Sequence, residues 1–145
     1  MAYSREGALE HLRATVEAVA GMKSCTRYVR NRDEVEPDGF PFAFIAEVTG
    51  RHDQNIGPRY QETLTTNLEV HVSAMSPTDL EAFRILVYRA ILADLTRGNT
   101  ADSTKLGDDT TVNVPPGEFG PGVQGFAVTV EIFISSLSIE EENIL

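Results

Sequence analysis

Residues 64–98 read LTTNLEVHVSAMSPTDLEAFRILVYRAILADLTRG, and this stretch decides the fold. From Leu64 to Ala74, apolar side chains alternate with polar ones, which predicts a β-strand with one packed face and one face in water. Ser76 can accept hydrogen bonds from the free amides at the start of a helix, and Pro77 suits the first helical position. The stretch therefore predicts a strand, a tight turn and a helix from Pro77 to Thr96.

The rest of the chain predicts one more helix and three more strands. Apolar residues spaced three or four apart predict a helix from Ser4 to Ala20. The predicted strands are Ser24–Val29, Phe42–Thr49 and Phe126–Leu137. Because Phe42–Thr49 is apolar on both sides, we expect this strand to lie centrally in the sheet. Long polar loops are predicted at 50–59 and 98–125.

The predicted order of elements is helix, strand, strand, strand, helix, strand. This order is typical of an α+β domain, and we predict a mainly antiparallel four-stranded sheet with two helices packed on one face and long polar loops. We assign residues 1–138 to one domain and residues 139–145 to an acidic C-terminal tail. A chain of 145 residues with 41% hydrophobic residues can bury a core of its own.

The chain is strongly acidic, with a formal net charge of -10 at pH 7. An acidic surface repels phosphate, so the charge excludes tight binding of nucleic acid by counterion release. The acidity either keeps the protein soluble or keeps it from adhering to nearby nucleic acid. The longest apolar run, Ile85–Leu95, is interrupted by polar and charged residues and is too short to cross a bilayer.

No catalytic, metal or cofactor site is predicted. Cys25 has no candidate base partner, and no G-x-S-x-G motif occurs. His11, His52 and His71 lie on a predicted helix, loop and strand, without the spacing of metal ligands. The glycine-rich segment 117–125 leads into a strand and not into a helix N-terminus, which argues against a phosphate-binding loop.

Two predicted loops carry residues that suit contacts with other proteins. Phe119 and Val123 are apolar side chains in a polar, glycine-rich loop, and exposed apolar residues on a flexible arm often dock onto a partner. Arg51, His52 and Arg59 form the only locally positive feature of the acidic chain. We interpret these three residues as a possible contact for an acidic neighbouring subunit.

The order of parts resembles a known family over most of the chain. Phe40-Pro41 enters a strand, a polar hairpin loop leads to the alternating strand, and the second helix ends in Ile91-Leu92-Ala93-Asp94-Leu95-Thr96-Arg97-Gly98. This arrangement resembles the tail terminator proteins of long-tailed bacteriophages, also called minor tail or tail-completion proteins. That family often ends this helix with Asp, an apolar residue, Thr and Gly, from which Arg97 is a departure.

The resemblance implies a structural virion protein of the tail or neck, assembled in the cytoplasm of the host bacterium, with no catalytic residues and no cofactor. Such proteins form a homohexameric ring at the head-proximal end of the tail tube, where they stop tube elongation and join the tail to the head. The implied partners are other copies of the chain, the tail tube protein and the head–tail connector protein. DNA would pass through the ring without tight binding, and no membrane is involved.

A ring around a DNA channel should present carboxylates inward so that the genome slides past without adhering. The candidate channel-facing acids are Glu62, Glu69, Asp102, Asp108, Asp109 and Glu131.

Three other functions stay open. The chain could be another head–tail neck or connector component of a phage. It could be a ferredoxin-like, dimeric ligand-binding domain, although no clear strand precedes Leu9. A small hydrolase is the weakest alternative, because no pair of residues has both the chemistry and the spacing of a catalytic site.

Overall fold

Two helices and five strands make up the computed structural model, which describes residues 5–54, 60–114, 117 and 122–135. In chain order the elements are α1 (Arg5–Glu17), β1 (Ser24–Thr26), β2 (Phe42–Gln54), β3 (Tyr60–Val72), α2 (Pro77–Leu92), β4 (Ser103–Val114) and β5 (Val123–Ser135). Two short 3-10 turns, Arg32–Glu34 and Pro37–Gly39, lie in the connection between β1 and β2.

The five strands form a single sheet in the order β1-β2-β3-β5-β4. β1 runs parallel to β2, and the other three pairs of neighbours are antiparallel. The sheet therefore consists of two antiparallel pairs, β2–β3 and β4–β5, which are joined edge to edge where β3 meets β5. The short strand β1 pairs with only the first three residues of β2, Phe42–Phe44.

The predicted four-stranded, mainly antiparallel sheet is wrong, because the sheet has five strands and includes a parallel pair. The additional strand is β4, which lies in the segment 98–125 that the sequence predicted as a long polar loop. Only Thr104 is buried in β4. Residues 105–111 of this edge strand show no apolar alternation, and its backbone pairing with β5 holds the strand in place.

α2 begins at the predicted residue but is shorter than predicted. The Ser76 hydroxyl oxygen accepts a hydrogen bond of 3.1 Å from the backbone N–H of Asp79, and Pro77 occupies the first turn. The helix ends at Leu92 and not at Thr96. The following residues, 94–101, turn back toward the sheet.

The core lies between the helices and one face of the sheet, here called the covered face. Both helices contribute their inner stripes to this core: Leu9, Leu12 and Val16 from α1, and Leu80, Phe83, Val87 and Ile91 from α2. These stripes meet alternate residues of the two central strands: Leu64, Leu68, Val70 and Val72 from β3, and Phe126, Val128, Val130, Ile132 and Ile134 from β5. Both helices therefore pack on the covered face.

The opposite side of the sheet, here called the open face, is polar over most of its area. It carries Thr63, Thr65, Asn67, Glu69 and His71 from β3 and Ala127, Thr129, Glu131 and Phe133 from β5. Two regions of this face are apolar: the end near β1, where Phe42 and Phe44 are buried, and the β4 end, where Val112, Val114 and Val123 are exposed. The connection between β1 and β2 covers these rings, which explains why β2 is apolar on both sides although it has only the short β1 beside it.

Candidate functional site

Helix α2 is apolar on its outer side as well as on its inner side. Four large apolar side chains along it and just past its end are 38–45% exposed: Ile85, Leu86, Leu92 and Leu95. Together with the exposed Arg89 they are here called the outer stripe. Exposed apolar side chains that follow one another along one side of a helix are typical of an interaction surface.

The corner after α2, residues 94–101, has an unusual backbone. Arg97, Gly98 and Asn99 have positive φ angles of 50°, 68° and 66°. For a residue other than glycine, the left-handed conformation costs roughly 1–2 kcal/mol. The corner is held by Asp94, which accepts hydrogen bonds from the N–H of Thr96 (3.1 Å), the hydroxyl of Thr96 (2.9 Å) and the N–H of Gly98 (2.9 Å). These bonds, the Thr96 hydroxyl above all, lower the pKa of Asp94.

Arg97 is fully buried at this corner. Its guanidinium donates to the carbonyl oxygens of Ile91 and Asp94, which satisfies carbonyls at the end of α2. Among the described residues, its Nε and Nη1 have no hydrogen-bond partner, and burial lowers the pKa of Arg97. His11 Nε2 lies 3.4 Å from Asp94 Oδ2, and burial together with Arg97 lowers the pKa of His11. The corner therefore fixes the end of the outer stripe to α1.

Two of the six predicted channel-facing acids, Glu69 and Glu131, lie on the open face. Glu69 Oε1 is 3.5 Å from His71 Nε2, and Glu131 lies opposite Lys105 of β4. Glu47, which the sequence prediction did not include, is exposed and lies opposite Asn67 on the same face. It borders a polar depression of about 260 Å³ that is otherwise lined by Thr49, Thr65, Thr66, Asn67 and Thr129.

The other four predicted acids lie elsewhere. Glu62 is on the covered face, is 3% exposed, and approaches His52 Nε2 to 2.9 Å and Arg5 Nη1 to 3.8 Å. Asp109 accepts hydrogen bonds from Arg84 (3.1 Å) and the Tyr88 hydroxyl (2.8 Å) of α2. Asp102 and Asp108 are exposed, the first just before β4 and the second in the irregular part of β4 between Leu106 and Asp109.

The predicted contact residues fall into two groups. Arg51 lies opposite Thr63 and His52 opposite Glu62, so the two exposed residues belong to opposite sides of the sheet. Val123, 42% exposed, lies opposite Val114 at the end of the β4–β5 pair. Arg59 and Phe119 lie outside the described residues.

Val123 is part of an apolar patch that sequence reasoning missed. Val112 and Val114 of β4 are 41% and 55% exposed and are on the same side of the sheet as Val123. These three residues are here called the valine patch. The alternation Val112-Asn113-Val114 was the available signal, but it was overlooked because the segment was predicted to be a loop.

His71 and Arg32 hold the connection between β1 and β2 onto the open face. Arg32 Nη1 lies 2.9 Å from His71 Nδ1, and Arg32 Nη2 donates to the carbonyl oxygen of Val72 at 3.1 Å. The Arg32 guanidinium also stacks on the Phe40 ring, 5.1 Å from its centre. Burial and the nearby Arg32 cation lower the pKa of His71, which favours the neutral imidazole that accepts from Arg32.

Among the described residues, the candidates for metal binding and for thiol chemistry are limited. No three His, Cys, Asp or Glu side chains in this part of the chain are grouped to hold a metal ion. Burial raises the pKa of the Cys25 thiol to about 12, so the thiol stays protonated and unreactive at neutral pH. Of the two helices described, neither is long and apolar enough to cross a membrane.

Comparison of the chain with models of known protein families and with curated protein sequences finds no match. Three surfaces remain as the basis for a function: the polar part of the open face with its carboxylates, the valine patch at the β4 end of that face and the outer stripe of α2.

Proposed function

We propose that the protein is a structural subunit of a bacteriophage tail, which assembles with copies of itself into a hexameric ring at the head-proximal end of the tail tube. The proposed ring ends tube growth and presents a surface to the head–tail connector protein, as in the tail terminators that the sequence resembles. The observation that carries the proposal is the open face: a polar sheet surface with carboxylates, left without a covering layer by the described helices.

The free edges of the sheet support self-assembly. β4 is the last strand on one side of the sheet. On the other side, β1 pairs with β2 only as far as Phe44, and the remaining outer edge of β2 has no partner strand among the described residues. Unpaired strand edges are templates for pairing with another chain. Because the two edges lie at opposite sides of the sheet, a contact between them is head to tail, and such contacts close into rings when the rotation allows.

The valine patch strengthens the argument for the β4 edge. Val112 and Val114 place exposed apolar surface directly on this edge strand, in a chain of net charge -10. Edge strands of monomeric proteins are usually protected by charge, proline or a covering element. An edge with apolar side chains on it is therefore well suited to a neighbouring subunit.

The acids of the open face support a role around DNA. Glu47, Glu69 and Glu131 lie among threonine and asparagine side chains on this face, and Arg51 and Lys105 lie toward its margins. Carboxylates repel the phosphate backbone, and the surrounding hydroxyl and amide groups hold water. We infer that the open face lines the channel of the proposed ring.

The proposed assembly is tested by mass measurement in solution and negative-stain imaging over a concentration series. We expect a species of six times the 15.9 kDa chain mass, seen as rings, and rings at the ends of tail tubes when purified tube is added. The double variant Val112→Asp and Val114→Asp should lose the ring, because charges at the apolar edge oppose pairing. Ala14→Asp with Ala18→Asp is the matched control, since both residues are exposed and neither belongs to β2 or β4.

A monomer at every concentration, with or without tube, would contradict the proposal. Rings that do not stop tube growth would favour another neck or connector component. A dimer that binds a small molecule would favour a ligand-binding domain, although the described elements do not follow the β-α-β-β-α-β order of the ferredoxin-like fold.

A further inference from the structure

The β4 end of the open face holds a groove beside the valine patch. The groove has a volume of about 90 Å³, and its lining includes His71, Thr110, Val112, Val123, Gly125 and Ala127. A Cβ atom at Gly125 would collide with the carbonyl oxygen of Val70, so only glycine fits there and the floor of the groove stays bare. An enclosed cavity of roughly 150 Å³ holds one benzene ring. This smaller, open groove therefore suits the edge of one aromatic or aliphatic side chain.

The opposite edge of the sheet carries the two most exposed large apolar side chains among the described residues. Tyr28 and Val29, which follow β1, are 67% and 63% exposed and are here called the knob. Contacts hold the residues on both sides of the knob: Arg27 forms an ion pair of 2.5 Å with a glutamate of α1, and Arg30 donates to the Ser24 hydroxyl at 2.8 Å. The knob is therefore presented in a fixed position at the edge.

The knob and the groove lie at nearly the same level along the strands. One row of paired residues crosses all five strands: Thr26, Phe44, Glu69, Ala127 and Thr110. The row begins two residues before the knob and ends in the lining of the groove. At about 4.8 Å between neighbouring strands, the row spans about 19 Å. When two copies meet edge to edge in the same orientation, the knob of one copy therefore reaches the groove of the next without a large shift along the strands.

Charge favours the same contact. Arg30 lies beside the knob, and Asp108 lies on the β4 edge two residues before Thr110 of the groove. Among the described residues, no carboxylate lies within ion-pair distance of Arg30, and no basic group lies within that distance of Asp108. The positive flank of the knob and the negative edge beside the groove therefore complement each other.

We propose that the knob of one copy of the chain docks into the groove of the next copy. Tyr28 and Val29 pack over Gly125 and against the valine patch, and Arg30 faces Asp108. Apolar burial supplies most of the attraction, and the ion pair selects the orientation, because an exposed ion pair is weak by itself. Since the knob and the groove are different surfaces, the contact is head to tail. This inference rests on the proposed self-assembly and names a contact that carries it.

Mixing two variants tests the contact, because each variant keeps one of the two surfaces. Tyr28→Asp with Val29→Asp removes the knob, and Val112→Asp with Val114→Asp removes the groove. Each variant alone should stay at the chain mass of 15.9 kDa over a concentration series, whereas their equimolar mixture should reach twice that mass. Assembly stops at two chains because the surfaces left over in the pair are both altered. A dimer in the mixture also shows that both variants fold.

A fluorescent reporter locates the contact in the assembling protein. Tyr28→Trp introduces the only tryptophan of the chain, and its emission should shift to shorter wavelength as the concentration rises and the protein assembles. Adding Val112→Asp and Val114→Asp should abolish the shift. Leu95→Trp is the matched control, since Leu95 is 45% exposed and lies beyond α2, away from the knob and the groove.

The inference and the proposed ring fail in different ways. Rings that still form without the knob would overturn the inference and leave the ring in place, as would a mixture that stays at the mass of one chain. A shift of Leu95→Trp without a shift of Tyr28→Trp would assign the contact to the outer stripe and also overturn it. Dimers in the mixture, with open filaments of the native chain instead of closed rings, would support the contact and contradict the ring. A native chain that is monomeric at every concentration would contradict both.

Discussion

The covered face and the open face are made from alternate residues of the same strands, yet they differ in burial and in polarity. On β3, Leu64 and Leu68 are fully buried under the helices, whereas their neighbours Thr65 and Asn67 lie on the open face beside a polar depression. The covered face holds the fold together. Away from its covered end near β1, the open face is therefore free to change its charge and its contacts, because its side chains there are not part of the core.

The largest expected effect separates two adjacent residues of β3. Leu68→Ala should lower the free energy of unfolding by about 2–5 kcal/mol, because it leaves a cavity in the covered face. Asn67→Ala should change it by less than about 0.5 kcal/mol. Urea denaturation of both variants measures the difference, and similar losses would show that the open face is packed too.

The second prediction concerns the one end of the open face that is covered. Arg32→Met removes the contacts to His71 and Val72. Because each hydrogen bond contributes a net stabilisation of about 1 kcal/mol, the substitution should lower the free energy of unfolding by about 1–3 kcal/mol. Arg89→Met is the matched control and should cost less than about 0.5 kcal/mol. Equal values in thermal or chemical denaturation would mean that Arg32 does not hold the connection onto the sheet.

The third prediction is a pH dependence at the same place. Because the pKa of His71 is lowered in the folded protein, the unfolded chain binds more protons at mildly acidic pH. The contribution of His71 to stability is complete above the ordinary histidine pKa of about 6.5 and is lost as the pH falls below it. Denaturation midpoints between about pH 7.5 and pH 5 should therefore fall less steeply in His71→Gln.

His11 contributes a residual slope of the same sign in that variant, since its pKa is lowered as well. A slope that is unchanged by His71→Gln would show that the imidazole is not held neutral against Arg32.

The smallest expected effect on stability is at the acids of the open face. Glu69→Lys together with Glu131→Lys should change the free energy of unfolding by less than about 0.5 kcal/mol, because both residues lie outside the core. The proposed ring should form but retain DNA in a salt-dependent manner. Asp79→Lys with Asp102→Lys makes the same charge change at exposed sites off this face and should not retain DNA. DNA binding of the unmodified protein and of the two double variants would be compared at several salt concentrations.

Much of the covered face could be predicted, because a period of two in β3 and a period near 3.6 in α2 record burial directly in the sequence. The edge strand β4 could not be predicted in this way, since Gly107, Asp108 and Asn113 read as loop residues and nothing packs over most of the strand. The parallel pairing of β1 with β2 left no local signal either. It depends on where the connection between them crosses, which is a long-range property.

The predicted acids show the same division. The alternation of β3 places Glu69 on the side opposite Leu68, and by the same rule it places Glu62 with Leu64 on the covered face, a signal that was available and not used. Asp109 could not be placed, because a shift of register between Leu106 and Asp109 changes which residues share a side. The exposure of the outer stripe could not be predicted from composition, because an apolar residue on a helix indicates a core position whichever side of the helix it lies on.

The meeting of β3 with β5 has a consequence for how the chain folds. The pairs β2–β3 and β4–β5 each join strands that follow one another along the chain, whereas β3 must find β5 across the whole segment from Ser73 to Gly122. Closing that distance loses chain entropy before the new pairing repays it, and such non-local contacts slow folding. We therefore expect the β2–β3 and β4–β5 hairpins to form early and the pairing of β3 with β5 to be the later, rate-limiting step. Formation of α2 shortens the distance that the chain between β3 and β5 must close.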